Sequence, residues 1–176
     1  MVGGRLWLYR EGASVPETIK CADGLVHYHA SIVEHFLELR GGIVVLMLEQ
    51  LWGADEDFIG RLTASTAKAI ANTADPTLYR TERYGDFSYQ FSVANGSYNV
   101  VLKFAEIYWT TTGQRLFNVS INGTQVLTNF DIVAAAGAPL TAIDKTFPVT
   151  TTTNQVTVQF TTGAANLPKV SAIEIH

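Results

Sequence analysis

A single cysteine, Cys21, in 176 residues excludes an intrachain disulfide framework. Long apolar runs are missing as well. The longest, at residues 41–48, falls far short of a bilayer span, so no membrane insertion is expected. Basic residues are few and unclustered. Residues 1–60 carry 4 Lys/Arg against 9 Asp/Glu and residues 61–176 carry 8 against 7, which gives a nucleic-acid partner no support. The opening "MVGGRLWLYREGAS" lacks the apolar stretch and cleavage site of a signal peptide, which leaves export open because a fragment lacks them equally. Cys21, His27, His29 and His35 are the one metal-like cluster, and their spacing matches no standard zinc pattern. Neither a metal nor a cofactor is expected.

What is present, from about Phe87 onward, is β-grammar. "FSYQFSV" alternates Phe87, Tyr89, Phe91 and Val93 against small polar residues. "LFNVSI" does the same with Phe117, Val119 and Ile121, and "NQVTVQF" with Val156, Val158 and Phe160. Asn95-Gly96 and Asn122-Gly123 both predict two-residue hairpin turns. Pro148 and Pro168 are read at the ends of runs, where they cost no central ladder bond. Short alternating runs between turn signals predict an all-β fold, an antiparallel β-sandwich of jelly-roll type. The sequons at Asn95, Asn118 and Asn122 permit N-glycosylation in a secretory route, although two coincide with the turns, which explain them without a glycan.

The first fifty residues obey different rules. Leu25, Tyr28, Ile32, Phe36 and Leu39 recur at helical spacing before Gly41, which predicts an amphipathic α-helix that does not pair naturally with the strands beyond.

The motifs "TLYRTERYGDFSYQFSV", "YNVVLKFAEIYW", "RLFNVSINGTQVLTNFDI" and "LPKVSAIEI", in that order, closely resemble the malectin family of carbohydrate-binding domains. The resemblance begins near "LWGADEDF" at residues 51–58 and runs to the C-terminus. It implies a β-sandwich module over residues 51–176 that binds glucose-containing oligosaccharides through loops at one end, without catalysis. It also implies a secreted, extracellular or secretory-lumen setting, and a chain that is part of, or derived from, a larger multidomain protein. The family's sugar-contacting aromatics carry over to Tyr84, Tyr108 and Trp109, and a polar contact to Asn166. That polar position is commonly aspartate in the animal lectin, and a further aromatic expected about 20 residues before Tyr84 is not evident in "GRLTAST". Upstream of Trp52 the family pattern fails. Leu46–Leu51 can be encoded so that skipping two bases reads Asp-Ala-Gly-Ala-Val, which resembles the family's missing turn. Residues 1–50 are therefore either a frame-shifted product without a function or a segment of their own, and the coding DNA decides between them. In the first case the sandwich lacks its first strand and exposes a sheet edge.

Each candidate residue has a plainer alternative. Sugar recognition needs a flat aromatic surface for CH faces and fixed donors and acceptors for hydroxyls. Tyr108 and Trp109 supply such surfaces, but aromatics in β domains also simply cap cores. The small polar "TTTGQ" that follows them favours an open loop. Glu82 and Arg83 are read as an internal brace for the Tyr84 loop, and Glu106 as a structural hydrogen-bonding group at a strand end. Glu82, Glu106, Asp131 and Asp144 raise the possibility of a glycosidase, which needs two carboxylates facing each other across the bond. No enzyme activity is expected. The competing class is a protein-interaction or spacer sandwich that has lost sugar binding, which the Asn166 and Gly60–Thr66 departures favour.

Overall fold

The computed structural model describes residues 62–176 together with the short strand segments 17–18, 20–21, 28–29 and 58–59. In chain order the early strands are β1 (Glu17–Thr18), β2 (Lys20–Cys21), β3 (Tyr28–His29), β4 (Phe58–Ile59) and β5 (Leu62–Ser65). The short helix α1 (Pro76–Tyr79) precedes β6 (Thr81–Tyr84), β7 (Phe87–Ser92) and β8 (Gly96–Phe104). Then come β9 (Leu116–Ile121), β10 (Thr124–Phe130), helix α2 (Ile132–Ala136), β11 (Ile143–Thr151), β12 (Gln155–Ala165), β13 (Lys169–Val170) and β14 (Ala172–Ile175).

Two antiparallel sheets face each other. One has the order β10-β9-β12-β7-β4 and the other β11-β8-β14-β2. The period-2 alternation decides which face of each strand turns inward. Phe87, Tyr89 and Phe91 of β7, Phe117, Val119 and Ile121 of β9, and Val156, Val158 and Phe160 of β12 are all buried. They pack in one cluster with Val100, Leu102 and Phe104 of β8 and Ile173 and Ile175 of β14 from the opposite sheet. Phe87 stacks on Phe160 with ring centroids 4.5 Å apart, a contact between strands that pair directly. The expected sandwich is thus present, its core made by the residues whose alternation announced it.

Three local expectations are corrected. Asn122-Gly123 does form the β9–β10 hairpin, with φ of 48° and 78°. Asn95-Gly96 does not form a hairpin. Neither residue has positive φ, and the β7–β8 connection crosses from one sheet to the other. The Asn95 side chain instead accepts the Asn154 N–H at 2.8 Å, tying this crossing to the β11–β12 crossing beside it. Pro148 lies inside β11, opposite Asn99, rather than at a run end. It is tolerated there because β11 is an edge strand, so its missing N–H deprives no neighbour. Of the helix expected across Leu25–Leu39, most lies outside the described residues. Its Tyr28 and His29 are described, and they form strand β3, antiparallel to β1. On the side of β14 away from β8, Ala172 and Ile173 pair with Cys21 and Lys20 of β2.

A third, small sheet has the order β13-β6-β5. It leads into the sandwich through Ser171, since β13 pairs with β6 and β14 with β8. The β12 strand bulges between Thr162 and Ala165 where it meets β9. A Cβ at Gly163 within that bulge would lie 2.4 Å from the Leu116 carbonyl oxygen and 2.6 Å from Asn129 Oδ1. Backbone at that distance cannot yield cheaply, so Gly163→Ala is expected to destabilise the chain by about 1–3 kcal/mol. Urea unfolding measures it, and an unchanged midpoint would show that the bulge relaxes freely.

Candidate functional site

At the end of the sandwich where β8 gives out, the chain must cross to the other sheet before β9 begins, and this crossing carries Ala105 to Arg115. Glu106 organises it. Its carboxylate is almost wholly buried; Oε1 accepts the backbone N–H groups of Tyr108 at 3.0 Å and Trp109 at 3.1 Å. Its other oxygen, Oε2, takes the Arg115 Nε–H at 2.7 Å. One side chain therefore pins both aromatics and the far end of the loop. The sequence reading put Glu106 near a strand end as a structural hydrogen-bonding group; the strand ends two residues earlier, at Phe104, and the carboxylate braces the turn beyond.

Tyr108 is 71% exposed, while Trp109 is half-buried. Their rings stand perpendicular, with centroids 4.8 Å apart and an interplanar angle of 86°. The pair makes a corner: Trp109 is anchored on the protein side and Tyr108 projects from it. Both residues follow the end of β8, so neither is assigned by strand alternation to core or solvent.

The remaining wall comes from the small sheet. Tyr84 ends β6 and is half-buried, and Ala64 and Ser65 of β5 lie on the neighbouring strand. Asn166 follows β12 with a left-handed φ of 57°, and its Nδ2 donates to the Gln114 carbonyl at 3.1 Å. Tyr84, Tyr108, Trp109 and Asn166, the four residues carried over as ligand contacts, line one cleft of about 440 Å³ with Ala64–Thr66, Glu82, Ile107, Arg115 and Leu167. That size lies within the range of small-ligand sites. Where a further aromatic was expected, the described residues at the cleft are Ala64, Ser65 and Thr66. A smaller concavity of about 270 Å³ between Tyr98, Pro148 and His176 contains none of these residues.

Beneath the cleft lies a buried charge network that sequence reasoning largely missed. Lys169 of β13 is fully buried and donates to Glu82 and to the Ala105 carbonyl. Burial pushes the Lys169 ammonium below its ordinary value, and Glu82 and Glu106 oppose that shift. Burial acts to raise the Glu106 carboxyl, but Lys169, Arg115 and the hydrogen bonds outweigh it and hold the group below the usual carboxylate value. Arg115 also donates through Nη1 to the Leu167 carbonyl, joining the aromatic loop to the segment that carries Asn166. Glu82 and Arg83, read together as a brace, turn to different partners. Glu82 serves Lys169, whereas Arg83 donates to the Tyr89 hydroxyl at 3.2 Å, since adjacent strand residues point to opposite faces. The available signal for Lys169 and Arg115 was a lone cation set against an apolar run, in "LPKVSAIEI" and "GQRLFNV".

Of the four carboxylates weighed for hydrolysis, Glu82 alone lines the cleft. Glu106 is turned to Arg115 and the loop. Asp131 caps α2 through Ala134 and accepts the Gly113 N–H at 2.6 Å, which steadies the far side of the loop. Asp144 is bonded to Tyr79 and Lys103. Burial and that bond with Asp144 raise the Tyr79 hydroxyl far above its ordinary value. Among the described residues there is no group of three or more His, Cys, Asp or Glu that could hold a metal, and His27 and His35 lie outside them. No helix among the described residues is long and apolar enough to cross a membrane.

Comparison with known proteins agrees with this architecture. The chain is 34% identical over 121 residues to Malectin-B of Xenopus laevis, covering 60% of this chain and 44% of that protein. It therefore spans less than half the length of the curated malectins it matches. The ANX1 ectodomain of Arabidopsis thaliana superimposes with a TM-score of 0.70 at 17% identity, covering 91% of this chain and 47% of that one. Bacteroides uniformis β-glucuronidase 2, in a complex with a cyclophellitol-6-carboxylate aziridine, gives a TM-score of 0.67 at 20% identity, covering 91% of this chain but 17% of the enzyme. At these identities the two structures speak for the fold. The malectin domain model matches residues 29–173, and with that match, the paired sheets and the loop-borne cleft in view, the chain belongs to the malectin domain family.

Proposed function

We propose that this chain binds glucose-containing oligosaccharides, without catalysis, in the cleft between Tyr84, Tyr108, Trp109 and Asn166. The family assignment makes it a malectin-like carbohydrate-binding module. The observation that carries the finer reading is the aromatic corner. Tyr108, exposed and with its backbone held by its own N–H to buried Glu106, offers a ring face and a hydroxyl from a loop that is already fixed. Trp109 closes the corner at right angles, so a pyranose can lay a CH face on one ring and meet the edge of the other. The ring of Tyr84 bounds the same cleft from the small sheet. The chain's role is to hold a larger protein on such a glycan, in an extracellular or secretory-lumen setting. Likeness to part of a plant receptor ectodomain and to part of a larger bacterial enzyme supports it.

Calorimetric titration of the full chain with a panel of glucose disaccharides (maltose, isomaltose, cellobiose, laminaribiose) tests the proposal. Tyr108→Ala is expected to weaken the bound member by about 10-fold, from loss of roughly 1–1.5 kcal/mol of ring contact. Its melting temperature should not move, because the side chain packs little. Unchanged heats in Tyr108→Ala and Trp109→Ala would remove the corner from the site. No heat with any glycan would leave the interaction or spacer module as the surviving account.

A further inference from the structure

Aromatic walls account for stacking, but the floor of the cleft carries polar atoms that the fold does not use. Glu82 and Arg115 both line the cleft, and they are 3% and 7% exposed. Glu82 gives Oε2 to Lys169, and its Oε1 accepts no bond. Arg115 gives Nε to Glu106 and Nη1 to the Leu167 carbonyl, and its Nη2 donates none. A guanidinium offers five N–H donors, two of them on Nη2. Among the described residues, the buried side-chain atoms that lack a partner are Thr81 Oγ1 and Ser171 Oγ. Glu82 Oε1 and Arg115 Nη2 are not sealed in this way, so each keeps some exposure to solvent, and the cleft is an open volume that both residues line.

We infer that Glu82 Oε1 and Arg115 Nη2 form the hydroxyl-reading pair of this cleft, an acceptor and a donor fixed at its floor for a neutral pyranose. The inference rests on the carbohydrate reading above and extends it to the class of sugar. Both groups are held from behind, Glu82 by Lys169 and Arg115 by Glu106 and Leu167, so little side-chain freedom is lost when a ligand arrives. A hydroxyl can donate to Oε1 or accept from Nη2 without bringing new charge into the site. A uronate cannot. The two cations already face the two carboxylates Glu82 and Glu106, and a third carboxylate would approach Oε1 with no cation of its own. The pair also answers a departure seen in the sequence. Asn166 stands where the animal lectin commonly has aspartate, and with one N–H of its amide given to the Gln114 carbonyl it offers a neutral Oδ1 in place of a carboxylate. The charged share of hydroxyl recognition then falls to the floor.

The decisive measurement needs no altered protein. The full chain is titrated with whichever glucose disaccharide binds, with its monodeoxy analogues, and with the counterpart carrying glucuronic acid in place of one glucose. Deleting a hydroxyl that the pair reads should weaken binding about 10-fold or more, because a charged group is left without its partner. Deletions elsewhere should matter about twofold at most, as expected for hydroxyls that stay in water. The uronate should bind more weakly than its neutral parent. Arg115→Lys keeps a cation against Glu106 but removes Nη2, so it should bind the parent and one of the deoxy sugars alike. Should that variant fail to fold, the deoxy series on the unaltered chain decides alone. Deoxy sugars that all bind like the parent, or a uronate that binds more tightly, overturn the inference while the Tyr108→Ala loss still upholds carbohydrate binding. No heat with any disaccharide overturns both.

Discussion

Lys169→Met is expected to cost about 3–5 kcal/mol of stability, as breaking a buried ion pair from one side does. The melting temperature should fall on the order of 10–20 °C for a chain of this size. Methionine copies the length and much of the volume of lysine, so a cavity is not the cause. The loss comes from what stays behind. Glu82 is left nearly buried without its cation, the Ala105 carbonyl loses its donor, and Glu106 loses one of the two charges that hold it ionised. A second variant separates charge from packing. Lys169→Met combined with Glu82→Gln removes the orphaned carboxylate and should recover part of the loss, a coupling that a double-mutant cycle reads directly. A single variant as stable as the parent would mean that the network adds nothing to the fold.

The other large effect belongs to Glu106→Gln, which should both destabilise the chain, by about 3–5 kcal/mol, and abolish sugar binding. A glutamine can still offer one oxygen to the Tyr108 and Trp109 N–H groups. Its amide then presents donors to Arg115, which is already all donors, so a buried guanidinium is left facing N–H. Loss of the Arg115 contact frees the loop at its far end and disturbs the link to Leu167. The pH dependence follows from the same carboxylate. Its folded-state value is depressed below the ordinary 4.5, so its contribution is present in full above that value. The contribution is lost as pH falls through the depressed value. Thermal melts should therefore be level in this respect from neutrality down to about pH 5 and decline below about pH 4.5. In Glu106→Gln that part of the acid decline should be missing. An identical acid limb in both proteins would assign it to other carboxylates.

Much of the sandwich was legible because strand alternation is a local property. Phe87, Tyr89 and Phe91, or Val156, Val158 and Phe160, need only one sheet face to be buried for the pattern to carry meaning. Whether two successive strands share a sheet is not local. Asn95-Gly96 and Asn122-Gly123 are the same dipeptide, yet only the second joins neighbours in one sheet. The strands β5 and β6 went unread for another reason. "LTAS" and "TERY" lack the apolar alternation that marks a half-buried strand, because Glu82 and Arg83 are buried through partners rather than through oiliness. The site divides in the same way. Tyr84, Tyr108, Trp109 and Asn166 were named by resemblance, and the fold gathers them around one cleft. Arg115 and Lys169 were overlooked, since a buried cation is recognisable only once its carboxylate, up to 87 residues away, is in place.

That separation has a kinetic side. The cleft's charged foundation joins Glu82 to Lys169, and Ser171 then passes the chain into β14 between β8 and β2. Contacts of such long range make folding slow compared with a helical bundle. During synthesis, the aromatic loop leaves the ribosome well before its support does. Until residues 169–175 emerge, Glu82 has no cation beneath it and the edge of β8 lacks its neighbour β14. The foundation of the cleft is therefore completed only after Lys169 has emerged, and a nascent chain stalled before it would carry Tyr108 and Trp109 on a loop that lacks this support.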